Sequence, residues 1–417
     1  MKILWVTNAI IGALARQHGM KPTSGQWLNA ELASEIEKKE NEIIVCTSGV
    51  QEERYQEDNV TYVVLPHGGA LNYAVSEEHV RDWRAVLDEF APDVILVWGT
   101  EYDIGQCVLR ANAKERPSLI YIQGVMTSVA EHYRGGLTDR QIQSFTTPLE
   151  RVRKRTVFDM ERLQQQRARC EAETVLLADG IIAENDWSIE RYRRISPELR
   201  VFRNRLPIKR EFAAYEWQQQ NCRPHRIVTT AAAYPLKGIH QLLRAIRALK
   251  ADYPDVELCV PGPNSFVVSG MRAKLTQSGY CAWIYRYIKK HKLEKNVTFV
   301  GPLTTEQYAE LMRSSELFVS ASAIENHCSS LREAMSVGVP CVSSAVGGIP
   351  EYAVDGDNCS LYPFAEVGIL TEKVRALFES ESLRVQYSLR GKETIRQMYA
   401  SKEGFSSINE ICKEIVI

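Results

Sequence analysis

Residues 316–344 read ELFVSASAIENHCSSLREAMSVGVPCVSS, and the order of residue types there sets the class of fold. Leu317, Phe318 and Val319 form an apolar run without polar alternation, which suits a parallel strand covered on both faces. A helix is expected to begin near Ser329 or Ser330 and to run to Ser336. Gly338 supplies its stop, and Pro340 opens the next strand. Strand, loop, helix and strand in this order form a βαβ unit.

The same alternation continues in both directions. Strand-like runs occupy 226–233, 256–262 and 296–301 before the quoted stretch. In the first half they occupy 2–8, 42–48, 60–66, 93–99, 118–124 and 180–185, with helical stretches such as 24–39 and 77–90 between them. The expected fold is α/β: two Rossmann-like, doubly wound parallel sheets. Residues 210–226 carry Gln218, Gln219, Gln220 and Pro224 without an apolar period and read as a linker. The expected division is an N-terminal domain over 1–209, a linker over 210–225 and a C-terminal domain over 226–395. A last helix over 396–417 would return to the first domain.

Composition narrows the function. Lys+Arg number 51 and Asp+Glu 52, a net charge of −1 that argues against a dedicated nucleic-acid binder. With 45% hydrophobic and 25% charged residues, the chain is neither disordered nor fibrous. The ten cysteines include no Cys-x-x-Cys pair, so buried thiols are expected rather than a zinc site. Thr7 and Asn8 interrupt the apolar start, which reads as a first strand and not as a signal segment. No run approaches the roughly 18 apolar residues of a membrane span. A cytoplasmic protein, soluble or peripheral at the inner face of a membrane, is expected.

In doubly wound sheets ligands bind beyond the carboxyl ends of strands. Glu325 lies in such a loop, and Glu333 lies inside the following helix. The amides of residues 327–331 would precede the helical ladder and form an anion site at the positive end of the dipole. A carboxylate at Glu333 suits a ribose diol. Spacing alone favours a different reading, because Ser330-x-x-Glu333 is also a capping box.

The arrangement Glu325, seven residues, Glu333-Ala334-Met335 and Gly338-Val339-Pro340 resembles the signature of the retaining nucleotide-sugar glycosyltransferases of family 4, with the GT-B fold. Residues 347–358 (GGIPEYAVDGDN), 297–301 (VTFVG) and 235–246 (PLKGIHQLLRAI) resemble further family segments in the same order. The resemblance covers the C-terminal half and is loose in the N-terminal half; it implies that the domain over 226–395 binds the nucleotide sugar and the domain over 1–209 the acceptor. It implies transfer of a sugar from a nucleotide-diphosphate donor to a glycan or lipid-linked glycan, in surface polysaccharide or glycoconjugate synthesis. Glu333 would bind the ribose and Glu325 the donor sugar. Asn326, His327, Cys328, Ser329 and Ser330 would bracket sugar and diphosphate, and Lys237 would pair with the diphosphate. Gly301 and Pro302 would hold the base.

Two departures from the family pattern stand out. The arginine expected a few residues before Lys237 is Ala232, and Arg205 or Arg203 is a candidate stand-in. The histidine expected after an N-terminal-domain strand is Gln123, which hydrogen-bonds but does not titrate near neutrality. Retaining transfer in this fold is thought to use the leaving phosphate as proton acceptor. Gly25 opens a helix where backbone approaches phosphate or acceptor. The 98–101 turn (Trp98-Gly99-Thr100-Glu101) should line the same side, with Trp98 in the core.

Basic residues cluster at Arg151, Arg153, Lys154, Arg155, Arg162, Arg167 and Arg169, and again from Arg191 to Arg205. They are solvated helix faces or a contact with an anionic leaflet, at roughly 1 kcal/mol per basic residue near the surface. No Asp-x-Asp motif occurs in the strand-end loops, so neither an obligatory metal nor another cofactor is expected. The alternatives are a non-catalytic nucleotide-sugar-binding protein and a nucleotide-sugar epimerase on the same fold.

Overall fold

Short apolar runs build two parallel sheets. The first holds β1 (Lys2–Thr7), β2 (Glu42–Ser48), β3 (Glu53–Glu57), β4 (Val60–Leu65), β5 (Val94–Trp98), β6 (Ser118–Tyr121), β7 (Gly180–Ala183) and β8 (Arg200–Arg203). Their order is β3-β4-β2-β1-β5-β6-β7-β8, parallel throughout except for the β3/β4 pair. The second holds β9 (Arg223–Val228), β10 (Glu257–Pro261), β11 (Val297–Gly301), β12 (Ser315–Ser320), β13 (Cys341–Ser344) and β14 (Ser360–Tyr362). Its order is β11-β10-β9-β12-β13-β14, all parallel. This computed structural model describes residues 1–20, 26–68, 75–230, 233–262, 265–266, 268, 270, 276–401 and 404–417.

Every residue of β5, β6 and β12 is buried, the reason these strands lack polar alternation. In each sheet the winding reverses once, between β1 and β5 in the first and between β9 and β12 in the second. Such reversals open a crevice beyond the strand ends.

Contacts divide the chain into one unit of residues 1–127, 164–207 and 402–417 and a second of 128–163 and 208–401. Residues 128–163 go with the second unit, although their place in the chain suggests the first. Leu137, Ile142 and Phe145 enter the core formed by Ile239, Leu242 and Ile284. Phe145 lies with its ring centroid 5.9 Å from that of Tyr280 and 5.3 Å from that of Trp283. Glu150 Oε1 accepts a hydrogen bond from Gly279 N at 2.8 Å.

The polar stretch 210–225 is no free tether. Phe212 and Trp217 are buried in the second unit. Trp217 donates from Nε1 to Ser315 O and from its amide to Val337 O, both at 2.9 Å. Two aromatics five residues apart anchor a strap whose glutamines stay polar, and β9 already begins at Arg223. The helix Ile408–Val416 buries Ile408, Ile411, Cys412 and Ile415 in the core of the first unit. All ten cysteines are free thiols, and nine of them are buried. Among the described residues no helix is long and apolar enough to cross a membrane.

Phe145 tests the assignment of 128–163. Phe145→Ala removes a core aromatic and should lower the unfolding free energy of the second unit by about 3–5 kcal/mol. Urea unfolding followed by tryptophan fluorescence reads the change; a loss under about 1 kcal/mol would place this segment outside the core.

Candidate functional site

The loops after β9 and β12 flank the reversal of the second sheet. After β9 the chain reaches a short 3-10 turn, Pro235–Lys237, and the helix Ile239–Leu249. Between them Gly238 has φ +67°, and a Cβ there would lie 1.7 Å from Ala321 O. Only glycine lets the lysine loop lie this close to the end of β12. The amide of Ala323 then donates to Leu236 O at 2.7 Å, which ties the two loops together.

That junction sets Lys237 against Glu325, with Nζ to Oε1 at 2.5 Å. Burial disfavours the ammonium, but the Glu325 carboxylate outweighs it, aided by Tyr234 and Cys328, and holds the Lys237 pKa above its ordinary value. A third loop braces the second. Gly347, φ +60°, approaches Glu325 so closely that a Cβ would lie 1.6 Å from its carbonyl oxygen. The amide of Gly348 donates to Asn326 O at 3.0 Å.

The following helix spans Ser329–Val337, and its N-cap is Cys328 in the left-handed region, φ +47°. The capping box favoured by spacing is absent. Ser330 is the second helical residue, and its Oγ lies 3.1 Å from Thr230 Oγ1. The anion site is narrower than 327–331, because the Leu331 amide already donates to Cys328 O at 3.0 Å. The amides of Ser329 and Ser330 precede the first intrahelical bond and carry the positive end of the dipole. His327 is held neutral: burial, with the charges of Arg332 and Lys237, pushes its pKa far down. The Cys328 thiol is pushed up to about 11, by burial first and Glu325 second, so it is no thiolate nucleophile.

Glu333 stands one turn into the helix. Its carboxylate makes no hydrogen bond or ion pair among the described residues. Burial pushes its pKa up to about 7, against the pull of Lys209 and Arg332. Beside it the Tyr308 hydroxyl is buried without a hydrogen-bond partner. Two unsatisfied oxygens on neighbouring helices mark a place for hydroxyl groups. The Tyr308 contribution was not legible, because tyrosine at helical spacing reads as core. Gly301 ends β11 with φ +78°; its carbonyl accepts from Gly262 N at 2.9 Å, and Pro302 is exposed.

The second unit thus gathers Lys237, Glu325, Asn326 to Ser330 and Glu333 around one strand-order reversal. Gln123 and Arg205 belong to the first unit. Gln123 follows β6, half-buried. Arg205 stacks on Phe405, guanidinium carbon to ring centroid 3.7 Å, and Arg203 pairs with Asp186. Gly25 and Ala232 lie outside the described residues. Among the described residues, three side chains able to ligate a metal lie within 4.8 Å of one another in the first unit: His79, Asp103 and Cys107. His79 Nδ1 and Asp103 Oδ2 stand 3.7 Å apart, an ion-pair distance. Burial and then Asp103 push the Cys107 thiol up to about 11.

Glu333 has a measurable consequence. Unfolded it titrates near 4.5, folded near 7. Between those values the native chain keeps a proton that the unfolded chain has lost. Its stability therefore falls as pH rises through this window and levels off above it, by on the order of 2–4 kcal/mol. In urea titrations from pH 4.5 to 8, Glu333→Gln should lack that part of the decline; identical profiles for both proteins would show that the carboxyl is well solvated.

Residues 216–394 match the family described as glycosyl transferases group 1. The chain is similar to N-acetyl-alpha-D-glucosaminyl L-malate synthase of Bacillus anthracis, 29% identical over 154 residues, 36% of this chain and 40% of that protein. It is also similar to the GPI3 subunit of phosphatidylinositol N-acetylglucosaminyltransferase of Saccharomyces cerevisiae, 29% identical over 125 residues, 30% of this chain and 25% of that one. These matches span less than half the length of either relative. Among solved structures, sucrose-phosphate synthase from Thermosynechococcus elongatus superposes with a TM-score of 0.68 at 15% identity, over 99% of this chain and 97% of that one. Anabaena HepE in complex with UDP and glucose gives 0.64 at 15% identity, over 100% and 98%. At such identities the likeness is one of fold, and the fold is GT-B. Residues 216–394, the stretch that this family match covers, make up less than half of the 417-residue chain.

Proposed function

We propose that the protein transfers a hexosyl group, with retained anomeric configuration, from a nucleotide-diphosphate sugar to a glycan or lipid-linked glycan. The products would serve surface polysaccharide or glycoconjugate synthesis. The observation that carries this reading is the cation, the two carboxylates and the bare helix amides around the β9/β12 reversal.

Lys237 and the amides of Ser329 and Ser330 take the diphosphate. Glu325 takes a hydroxyl of the donor sugar and Glu333 the ribose, while Gly301 and Pro302 meet the base. The Lys237–Glu325 pair holds these charges in place before the donor arrives; binding exchanges Glu325 for phosphate oxygens at the lysine and frees the carboxylate for the sugar. In transfer the bond from the anomeric carbon to phosphate breaks, and a bond from the acceptor oxygen forms on the same face. The acceptor proton passes to the leaving phosphate. Lys237 and the amides act by stabilising the charge that grows there. Gln123 holds a sugar or acceptor hydroxyl without moving a proton. Relatives named for N-acetylglucosaminyl transfer, and HepE with UDP and glucose, support a nucleoside-diphosphate donor of this type.

A peripheral position at an anionic membrane surface suits the acceptor class. Arg151, Arg153, Lys154 and Arg155 are exposed in the second unit and make no ion pair among the described residues.

Thermal-shift titration with UDP, GDP, ADP and their sugars tests the donor half. A cognate ligand at 100 times its Kd stabilises the fold by about 2.7 kcal/mol. Glu333→Ala should weaken binding by about 1.5–3 kcal/mol, roughly 10- to 100-fold, and Lys237→Ala by at least as much. No shift with any nucleotide at millimolar concentration would refute the proposal.

A further inference from the structure

Two helices of the first unit, Glu77–Phe90 and Asp103–Asn112, pack against each other. Trp83, Val86 and Leu87 of one and Ile104 and Val108 of the other share an apolar core. At the edge of that core stand three side chains of a different kind. His79 lies in the first turn of its helix. Asp103 opens the second helix, and Cys107 follows four residues later on the same face. One nitrogen, one oxygen and one sulfur of these residues lie within 4.8 Å of one another. Asp103 and Cys107 are buried, while the His79 side chain, 14% exposed, leaves a way in from solvent.

An ordinary ion pair is the plain reading of His79 and Asp103, and their separation speaks against it. His18–Glu53, His67–Asp82 and His225–Asp255 close to 2.8, 2.9 and 2.9 Å. His79 Nδ1 and Asp103 Oδ2 stop at 3.7 Å, too far for a hydrogen bond. Neighbouring ligand atoms on a tetrahedral zinc, with bonds of roughly 2.0–2.3 Å, lie about 3.3–3.6 Å apart. The gap suits an ion between the two groups better than a hydrogen. A second observation concerns the imidazole. The His67 ring stacks on that of His79, centroids 3.8 Å apart and planes 14° from parallel. His67 is itself held at both nitrogens, Nε2 by Asp82 Oδ2 at 2.9 Å and Nδ1 by Ser48 Oγ at 3.3 Å. It therefore sets the plane of the His79 ring, as outer partners orient metal-bound imidazoles.

We propose that His79, Asp103 and Cys107 bind one Zn²⁺, which clips the two helices together. Thiolate, imidazole and carboxylate form a ligand set that suits zinc, whereas magnesium and calcium take oxygen ligands. One thiolate and one carboxylate cancel the charge of the ion, so the buried site is neutral as a whole. On binding, the thiol proton leaves to solvent and an Sγ–Zn bond takes its place. Water fills the fourth position of the tetrahedron. The apolar contact already holds the helices side by side. What the ion adds is a fixed link between their first turns, and with it stability of the first unit. The inference is independent of the glycosyl-transfer reading, because none of the three residues belongs to the donor site.

The test uses the full chain after dialysis against a chelator, with Zn²⁺ and Co²⁺ as probes. Saturable binding of one ion per chain is expected. At about 100 times the Kd of Zn²⁺ the melting temperature should rise by several degrees. The Co²⁺ form should show a thiolate-to-cobalt charge-transfer band and the intense visible absorption of four-coordinate cobalt. Cys107→Ser should remove the charge-transfer band. Each of Cys107→Ser, Asp103→Asn and His79→Gln should weaken Zn²⁺ binding by at least about 100-fold, since partners outside a ligand set alone contribute about 10- to 100-fold. Cys222 is the one cysteine that is only half-buried, and Cys222→Ser controls for adventitious thiol binding; it should bind Zn²⁺ as the unaltered chain does. An unaltered chain that binds no Zn²⁺ saturably, or whose Co²⁺ form lacks the charge-transfer band, overturns the proposal without any variant. So does binding that Cys222→Ser abolishes, or that all three ligand variants retain.

Discussion

Everything in the second unit that bears on chemistry depends on how closely the backbone after β9 lies against the backbone after β12. The 2.5 Å contact between Lys237 and Glu325 is the visible result. Its cause is steric: Gly238 lies on Ala321 O and Gly347 on Glu325 O, at separations that no Cβ survives. Three loops are thereby pinned to one another by main-chain atoms, and the charged side chains inherit their positions. The pair is partly buried, and a buried ion pair is weak evidence for stability. What it does is hold a cation and an acid together at one spot, each satisfied by the other.

Much of this was legible from residue types. The strand runs at β1, β2, β4, β5 and β12 are apolar without alternation, and burial on both faces is why. The strands that escaped notice are at or beside edges. β3 reads Glu-Arg-Tyr-Gln-Glu and faces water, β8 alternates Arg-Val-Phe-Arg, and β14 has three residues. Edge strands carry little apolar signal because little of them is buried. The strap over 210–225 hid for a related reason: Phe212 and Trp217 are buried and Tyr215 and Cys222 pack partly buried beside them, a spacing that matches no helix or strand period.

The site was legible in part. Strand-end position drew attention to Glu325, and the resemblance of 235–246 and of the Glu325/Glu333 spacing to the family's segments singled out Lys237 and the two glutamates. The spacing Ser330-x-x-Glu333 pointed to a cap, and the structure supplies the reason it fails. Cys328, held in the left-handed region, starts the helix two residues earlier than a cap at Ser330 requires, and Ser330 turns to Thr230 instead. Helix phase is decided by the loop before it, which a three-residue spacing does not encode. Tyr308, Asn8 and Glu171 left no signal, since their partners lie 25 to 93 positions away: Tyr308 beside Glu333, Glu171 joined to Met126 and Thr100, and Asn8 to Glu101.

The two sheets solve one problem with different materials. Each winds outward from a central pair of strands, so each opens a crevice at the carboxyl end of that pair. In the second sheet the gap is lined by a lysine, helix amides and acids, which suits a ligand carrying dense negative charge. In the first it is lined by Asn8, Glu101 and Gln123, with no lysine or arginine among them. There the Glu101 carboxylate already has the charge of Arg167 acting on it, and a further anion would be repelled by the carboxylate. Charge thus sets the two units apart: the second offers a lysine cation and helix amides, the first a carboxylate beside two side-chain amides.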